Sequence, residues 1–152
     1  MRCVMVKKAF LSILLLICSS CVASGFIRPE AEGLEEAVKI YWEGRVRNDP
    51  KACYAYENMS LDKRFDEQYY TENFLNYKIV IHNFEIIEIG KEGTGLKGTT
   101  PVRLRMTRTV HVDIGIMKKP NTATVEVVDY WIKREDGRWY HLIQGISPGQ
   151  FN

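Results

Sequence analysis

Two long segments of alternating apolar and polar residues, separated by a turn signal, constrain the fold of this chain more than any other feature. In residues 102–114 the apolar side chains mostly carry even numbers, and in residues 125–131 they mostly carry odd numbers. Because successive side chains point to opposite faces of a strand, each segment predicts a strand with one apolar face. The sequence Lys-Lys-Pro-Asn at 118–121 predicts the turn between them. Residues 102–134 are therefore expected to form one antiparallel hairpin.

Each apolar face of this hairpin is interrupted by one charged residue, Arg108 in the first strand and Asp129 in the second. A tight turn at 118–119 would place Arg108 opposite Asp129, whereas a looser turn would place Arg108 beside Trp131. Both registers put the two charges on the inner face, where an unpaired charge would be costly. The pattern therefore predicts either a structural ion pair or a site.

The first 21 residues have the organisation of an export signal. Basic residues precede an apolar stretch at 9–17, which is too short to span a bilayer comfortably. Two serines then stand directly before Cys21, and this arrangement resembles the lipobox of bacterial lipoproteins. The resemblance implies that Cys21 becomes the lipidated first residue of the mature chain. Plain secretion, with cleavage after Ala23, is the alternative.

These features divide the chain into a signal peptide at 1–21, a linker at 22–29 and a single domain at 30–152. Val22 follows the cysteine, and the sorting rule of bacterial lipoproteins then favours the outer membrane of a cell with two membranes. Without the signal, 18 basic and 19 acidic side chains remain. The domain therefore lacks the excess of positive charge that is typical of proteins that bind nucleic acid. Cys53 would be the one free thiol left, so no intramolecular disulfide is expected, and it is interpreted as a small buried residue.

The domain is predicted to contain three helices followed by about four antiparallel strands. Helices are expected over residues 29–47 and 51–57, and a third begins at Asp66. Strands are expected over 78–89 and 139–146 in addition to the hairpin. The predicted fold class is α+β, with N-terminal helices packed on the concave face of a curved antiparallel sheet.

Several features together resemble the NTF2-like superfamily. They are a long first helix that ends in Asn-Asp-Pro at 48–50, a short tyrosine-rich second helix, a meander of long strands, and Asp-Gly-Arg-Trp-Tyr at 136–140. The likeness is greatest to the small exported bacterial branch of unassigned function. It implies a cone-shaped, cystatin-like fold over residues 30–146, with a pocket between the sheet and the helices. Some members of the superfamily are isomerases, dehydratases or epoxide hydrolases, and many others only bind ligands or partners.

The resemblance also allows a test for catalysis. The epoxide-hydrolase-like pattern places an Arg and an Asp two residues apart on one strand, but Val110 stands two residues after Arg108. The ketosteroid-isomerase-like pattern needs two inward acids, and only Asp129 is expected to point inward. We therefore predict binding rather than catalysis, with Asp129 and Arg108 as the candidates for a hydrolase or isomerase. The expected pocket residues are Arg108, Asp129, Trp131, Met106, Tyr54 and Tyr70, although helix aromatics equally suit a plain core.

The outer face of the hairpin carries Val128, Tyr130 and Ile132, which predict a partner surface or a homodimer unless the chain ends cover them. Three scattered histidines predict no metal site, and no cofactor is expected. The leading hypothesis is a lipid-anchored domain that binds a small apolar or anionic ligand or another envelope protein. The alternatives are a small hydrolase or isomerase, and a structural module that acts through its outer face.

Overall fold

A computed structural model of the protein describes residues 27–29, 32–74, 79–114 and 117–143. The signal peptide, Cys21 and the end of the last predicted strand lie outside these residues. The predicted α+β class with N-terminal helices and a four-stranded antiparallel sheet is confirmed. The helices are α1 (Leu34–Arg47), α2 (Pro50–Tyr54) and α3 (Glu67–Phe74), with short 3₁₀ turns at Asn58–Leu61 and Leu96–Gly98; the strands are β1 (Ile79–Ile89), β2 (Thr100–Ile114), β3 (Met117–Lys133) and β4 (Trp139–Leu142).

Helix α1 begins five residues later than the sequence predicted. Pro29 lies outside any helix or strand, and Gly33, with φ −72° and ψ 162°, directly precedes the helix. The Glu32 carboxylate pairs with Arg28 at 2.6 Å, and no side chain caps the start of the helix. The helix ends as expected at Asn48, whose left-handed backbone has φ 55° and ψ 45°.

Helix α2 begins as predicted and ends earlier than predicted. The Asp49 side chain accepts a hydrogen bond from the Ala52 amide at 3.1 Å, and proline occupies the first turn. The helix stops at Tyr54 because the following backbone leaves it to pair with β4. The His141 amide donates to the Tyr56 carbonyl at 2.7 Å, and this pairing brings residue 57 beside the sheet.

The sheet has the order β1-β2-β3-β4, with every neighbouring pair antiparallel. Both predicted registers of the β2–β3 hairpin are wrong. Arg108 faces Ala123, and Asp129 faces Val102. The predicted turn residues 118–121 lie within β3, and only two residues separate the strands. The observed register differs from the predicted ones by six and eight residues, and because both shifts are even, each side chain keeps its predicted face.

Val102, Leu104 and Met106 of β2 form the core together with α1. Val102 and Leu104 are fully buried, and they join one cluster with Tyr41 of α1 and Trp131 of β3. On the opposite face of β2, Arg103 and Arg105 are exposed and form ion pairs, such as Arg103 with Glu88 at 2.9 Å. The helices therefore cover one face of the sheet. None of the described helices has the length and apolar composition needed to cross a bilayer.

Candidate functional site

A cavity of about 200 Å³ lies between α1 and the apolar face of the sheet. Its walls are contributed by α1, α3, all four strands and the segment after α2. One part of the lining is aliphatic, and the other part carries charged and hydrogen-bonding groups. The aliphatic lining residues are Ile79, Ile81, Met106, Val127 and Ile143.

A chain of buried ionisable groups forms the polar end of the cavity. His141 lies between two carboxylates, with Nε2 2.7 Å from Asp129 Oδ1 and Nδ1 3.0 Å from Glu57 Oε2. The exposed fractions are 1% for Glu57, 4% for Asp129 and 7% for His141. An ionised carboxylate can only accept hydrogen bonds, so both imidazole nitrogens must donate when both acids are ionised. The arrangement therefore holds an imidazolium between two anions.

The remaining carboxylate oxygens are also occupied. Asp129 Oδ2 accepts from the indole N–H of Trp42 at 3.1 Å and from that of Trp131 at 3.2 Å. Glu57 Oε1 accepts from the Tyr41 hydroxyl at 2.8 Å and the Tyr70 hydroxyl at 3.1 Å. In the described part of the chain, no buried side-chain nitrogen or oxygen lacks a partner. Each acid thus receives three hydrogen bonds within the protein.

Electrostatics favour the charged imidazole. Burial alone would lower the pKa of His141, but the attraction of Asp129 and Glu57 outweighs burial and raises this pKa to about 10. Burial, followed by the charge of Glu57, raises the pKa of both Tyr41 and Tyr70, so their hydroxyls stay neutral donors. A protonated imidazole has no lone pair, and His141 is therefore unable to act as a general base near neutral pH.

The cavity lining includes two half-buried guanidinium groups, on Arg45 and Arg108. Arg45 lies on α1 with its guanidinium carbon 5.9 Å from the centroid of the Trp42 ring. Among the described residues, no carboxylate lies within 4 Å of Arg108, so the expected ion pair with Asp129 does not form. The register explains the separation, because Arg108 lies six positions, or about 20 Å of strand, from Val102, the partner of Asp129.

The structure brings four of the six predicted pocket residues to the cavity: Arg108, Asp129, Met106 and Tyr70. Trp131 is fully buried and reaches the site only through its indole N–H, which donates to Asp129. Tyr54 is not part of the described lining, and its hydroxyl donates to the Phe65 carbonyl at 2.7 Å. It packs against Tyr70 with 5.6 Å between ring centroids, so it supports one wall from behind.

The other predicted residues lie away from the cavity. On the outer face, Val128 is exposed, whereas Tyr130 and Ile132 are half-buried. Cys53 is fully buried in the core cluster. Burial raises the pKa of its thiol to about 12, which keeps it protonated and unreactive.

Sequence reasoning did not identify Glu57, His141 or Trp42 as site residues. Glu57 was assigned to the end of the second helix, and His141 was one of three scattered histidines. The sequence did contain a signal for His141, because the residues of an edge strand pair one by one with those of the neighbouring strand. Because β4 begins at Trp139 and Trp139 pairs with Lys133, His141 falls opposite Trp131, which lies two residues from Asp129 on β3.

A second buried ion pair fixes the segment that enters the domain. Arg28 lies between the rings of Tyr56 and Tyr140, with its guanidinium carbon 4.1 and 4.6 Å from their centroids. It pairs with Glu32, donates to the Ala55 carbonyl at 2.8 Å, and also donates to the carbonyl of residue 139. The Tyr56 hydroxyl donates to Glu32 at 2.7 Å. Part of the predicted linker therefore packs tightly on the domain.

Within the described ranges, no group of three His, Cys, Asp or Glu side chains is placed to hold a metal ion. In the buried acid–histidine chain, both imidazole nitrogens are already used by carboxylates. No family model and no curated protein matches this chain.

Proposed function

We propose that this protein is an exported, lipid-anchored NTF2-like domain that binds a small ligand in its cavity and does not catalyse a reaction. The observation that carries the proposal is the occupied state of the polar groups. Asp129, His141 and Glu57 bond one another and four neighbouring donors, so every carboxylate oxygen and both imidazole nitrogens already have a partner within the protein. Catalysis by a general acid or base requires a group that is free to exchange a proton within reach of the ligand.

The catalytic alternative required Arg108 to orient Asp129. The two side chains lie on the same face of the sheet but make no ion pair. Asp129 is oriented instead by two indoles and an imidazolium. Such a fully satisfied buried network rigidifies a fold, which suits a binding scaffold.

The size of the cavity limits the ligand. A volume of 200 Å³ corresponds to about seven water molecules at roughly 30 Å³ each. Cavities for drug-sized ligands run from about 300 to 1,000 Å³. A molecule of about ten non-hydrogen atoms, mostly carbon, matches both the volume and the aliphatic walls.

The fold class supports the superfamily assignment at a coarse level. Helices precede a four-stranded antiparallel sheet, and the cavity lies between them, as the resemblance implies. The lipobox-like residues before Cys21 support localisation at the periplasmic face of the outer membrane. Under this proposal the domain presents its cavity to the compartment outside the inner membrane.

Binding can be tested on the full chain labelled with ¹³C-methyl methionine. The Met106 methyl lies at the cavity, whereas Met59 is a core residue outside the described lining and serves as an internal control. Titration with hexanoate, hexanamide and 1-hexanol should shift the Met106 resonance and leave that of Met59 in place. If none of the three compounds moves the Met106 resonance, the proposal is wrong.

A pair of neighbouring variants localises the binding. Val127→Phe places a ring in the cavity and should abolish the Met106 shift, whereas Val128→Phe adds the same ring to the exposed face and should preserve it. The probes should be recovered chemically unchanged. A specific turnover that disappears in Asp129→Asn would establish the enzymatic alternative instead.

A further inference from the structure

We propose that the natural ligand is a small monocarboxylate, held by Arg108 at its charged end and by the aliphatic wall along its chain. This inference rests on the proposed binding function and specifies the chemical class of the ligand. Three lines of observation support it: the guanidinium of Arg108, which no described carboxylate approaches, the charge of the described lining, and the position of the apolar residues.

Arg108 is a cationic group of the lining, and among the described residues no carboxylate lies within 4 Å of it. The sequence offered Asp129 as a partner for Arg108. Asp129 instead accepts hydrogen bonds from Trp42, Trp131 and His141. Both of its carboxylate oxygens thus already have partners within the protein. A half-buried guanidinium without an internal anion is stabilised by an external one, and its planar fork matches a carboxylate in a bidentate pair.

The formal charge of the lining selects an anion of single charge. Arg45, Arg108 and the protonated His141 contribute three positive charges, and Glu57 and Asp129 contribute two negative charges. The described lining therefore has a net charge of +1. A monoanion neutralises it, whereas a cation adds to it and a dianion leaves an excess negative charge in a partly desolvated space.

The apolar residues lie where the chain of such a ligand would extend. Ile81 is the direct cross-strand partner of Arg108 in β1, and Met106 is two residues away on the same face of β2. Val127 follows on β3, toward the buried acid–histidine chain. A carboxylate bound at Arg108 would thus direct five or six carbons along a continuous aliphatic wall, and each buried methylene would add affinity.

The test compares hexanoate, hexanamide and hexylammonium by isothermal titration against the full chain. The three compounds share a six-carbon body and differ in charge. We expect hexanoate to bind at least about tenfold more tightly than hexanamide, since hydrogen bonds to charged groups are about twice as strong as neutral ones. Hexylammonium should bind more weakly than hexanamide.

Arg108→Met should weaken hexanoate binding by roughly ten- to one-hundredfold and leave hexanamide binding nearly unchanged. Arg103→Met is the matched control, because Arg103 lies on the same strand but on the exposed face, paired with Glu88. It should preserve the preference for hexanoate. Arg108→Lys, which retains the charge without the fork, should keep a reduced preference and provides a second readout if the Met variant fails to fold.

The outcomes separate this inference from the proposed function. Equal affinity for hexanoate and hexanamide, with the Met106 resonance still shifting, would leave the cavity a binding site and overturn the carboxylate assignment. Retention of the full preference in Arg108→Met would also overturn it. Failure of every compound to shift Met106 would overturn both proposals together.

Discussion

His141 is the residue on which the polar end of the cavity depends. Its imidazolium separates two buried carboxylates that would otherwise repel each other, and each nitrogen donates to one of them. Without this cation, Glu57 and Asp129 would be buried anions that only neutral donors stabilise. The charged state of a single side chain therefore links the geometry of the cavity to pH.

The stability of the protein should fall as pH rises above the ordinary pKa of histidine. The pKa of His141 is raised from 6.5 to about 10 in the folded state. Between these values the folded state holds a proton that the unfolded state releases, so the stabilisation is complete below about 6.5 and is lost as pH approaches 10. The slope should reach about 1.4 kcal/mol per pH unit for this one proton.

Urea denaturation between pH 6.5 and 7.5 measures this slope before thiols and phenols titrate appreciably. His141→Gln should lose the slope together with part of the stability. His111→Gln removes an exposed imidazole and should retain the slope of the wild type. A wild-type stability that stays flat or rises over this interval would contradict the imidazolium assignment.

Burial should determine what an ion pair contributes to stability. Arg28–Glu32 and Lys39–Glu35 share the same spacing and the same 2.6 Å separation, but the side chains of the first pair are 6% and 0% exposed and those of the second are 53% and 61% exposed. Arg28→Met should destabilise the protein by about 3 kcal/mol or more, because it strands a buried carboxylate. Lys39→Met should change stability by less than about 1 kcal/mol.

Chemical denaturation of the two variants decides the comparison. The double variant Arg28→Met with Glu32→Gln should recover part of the loss, since it removes the stranded charge. Similar effects of Arg28→Met and Lys39→Met would show that the packing of Arg28 against Tyr56 and Tyr140 contributes little to stability.

At the scale of elements, the alternation of residues predicted the hairpin and the common face of Arg108 and Asp129, but not the register. Lys-Lys-Pro-Asn has the composition of a turn, yet these residues extend β3. Proline is accepted there because β4 pairs only with Tyr130–Lys133. Within the described sheet, Pro120 therefore has a neighbouring strand on one side only. Turn composition is a local property, whereas the register depends on which pairs fill the core with α1.

Disulfide cross-linking distinguishes the observed register from the predicted one. Thr107 faces Thr124, and their hydroxyls are 2.9 Å apart, so cysteines at these positions should form a disulfide on mild oxidation. Thr107→Cys combined with Tyr130→Cys, which would face each other in the tight-turn register, should not. Electrophoresis without reductant and mass spectrometry give the answer. Cross-linking of the second pair alone would restore the predicted register.

At the scale of the whole molecule, sequence reasoning predicted the order of helices and strands and four of the residues around the cavity. It did not predict the buried acid–histidine chain, because its members come from three separate parts of the fold. Glu57 follows α2, Asp129 lies on β3, and His141 lies on β4. No local pattern marks such a convergence, and it becomes visible only when the backbone after α2 pairs with the edge of the sheet.

The position of Arg28 also limits how far the domain can lie from a membrane. If Cys21 carries the lipid, Arg28 lies seven positions after it. A fully extended chain of that length spans at most about 25 Å. The domain would then be held against the bilayer surface rather than on a long tether. A force applied at the lipid anchor would then act on the domain through Arg28 and its contacts with the Tyr56 and Tyr140 rings.

Lipidation should be visible in the mature protein recovered from membranes. We expect its first residue to be Cys21 carrying acyl chains, as measured by mass spectrometry of the N-terminal peptide. Cys21→Ser should remove this modification and the membrane association of the mature chain, whereas Cys18→Ser should preserve both, because residue 18 would leave with the signal. An unmodified mature chain that starts at Ser24 in the soluble fraction would establish plain secretion. It would remove the constraint on distance from the membrane while leaving the cavity and its proposed ligand class intact.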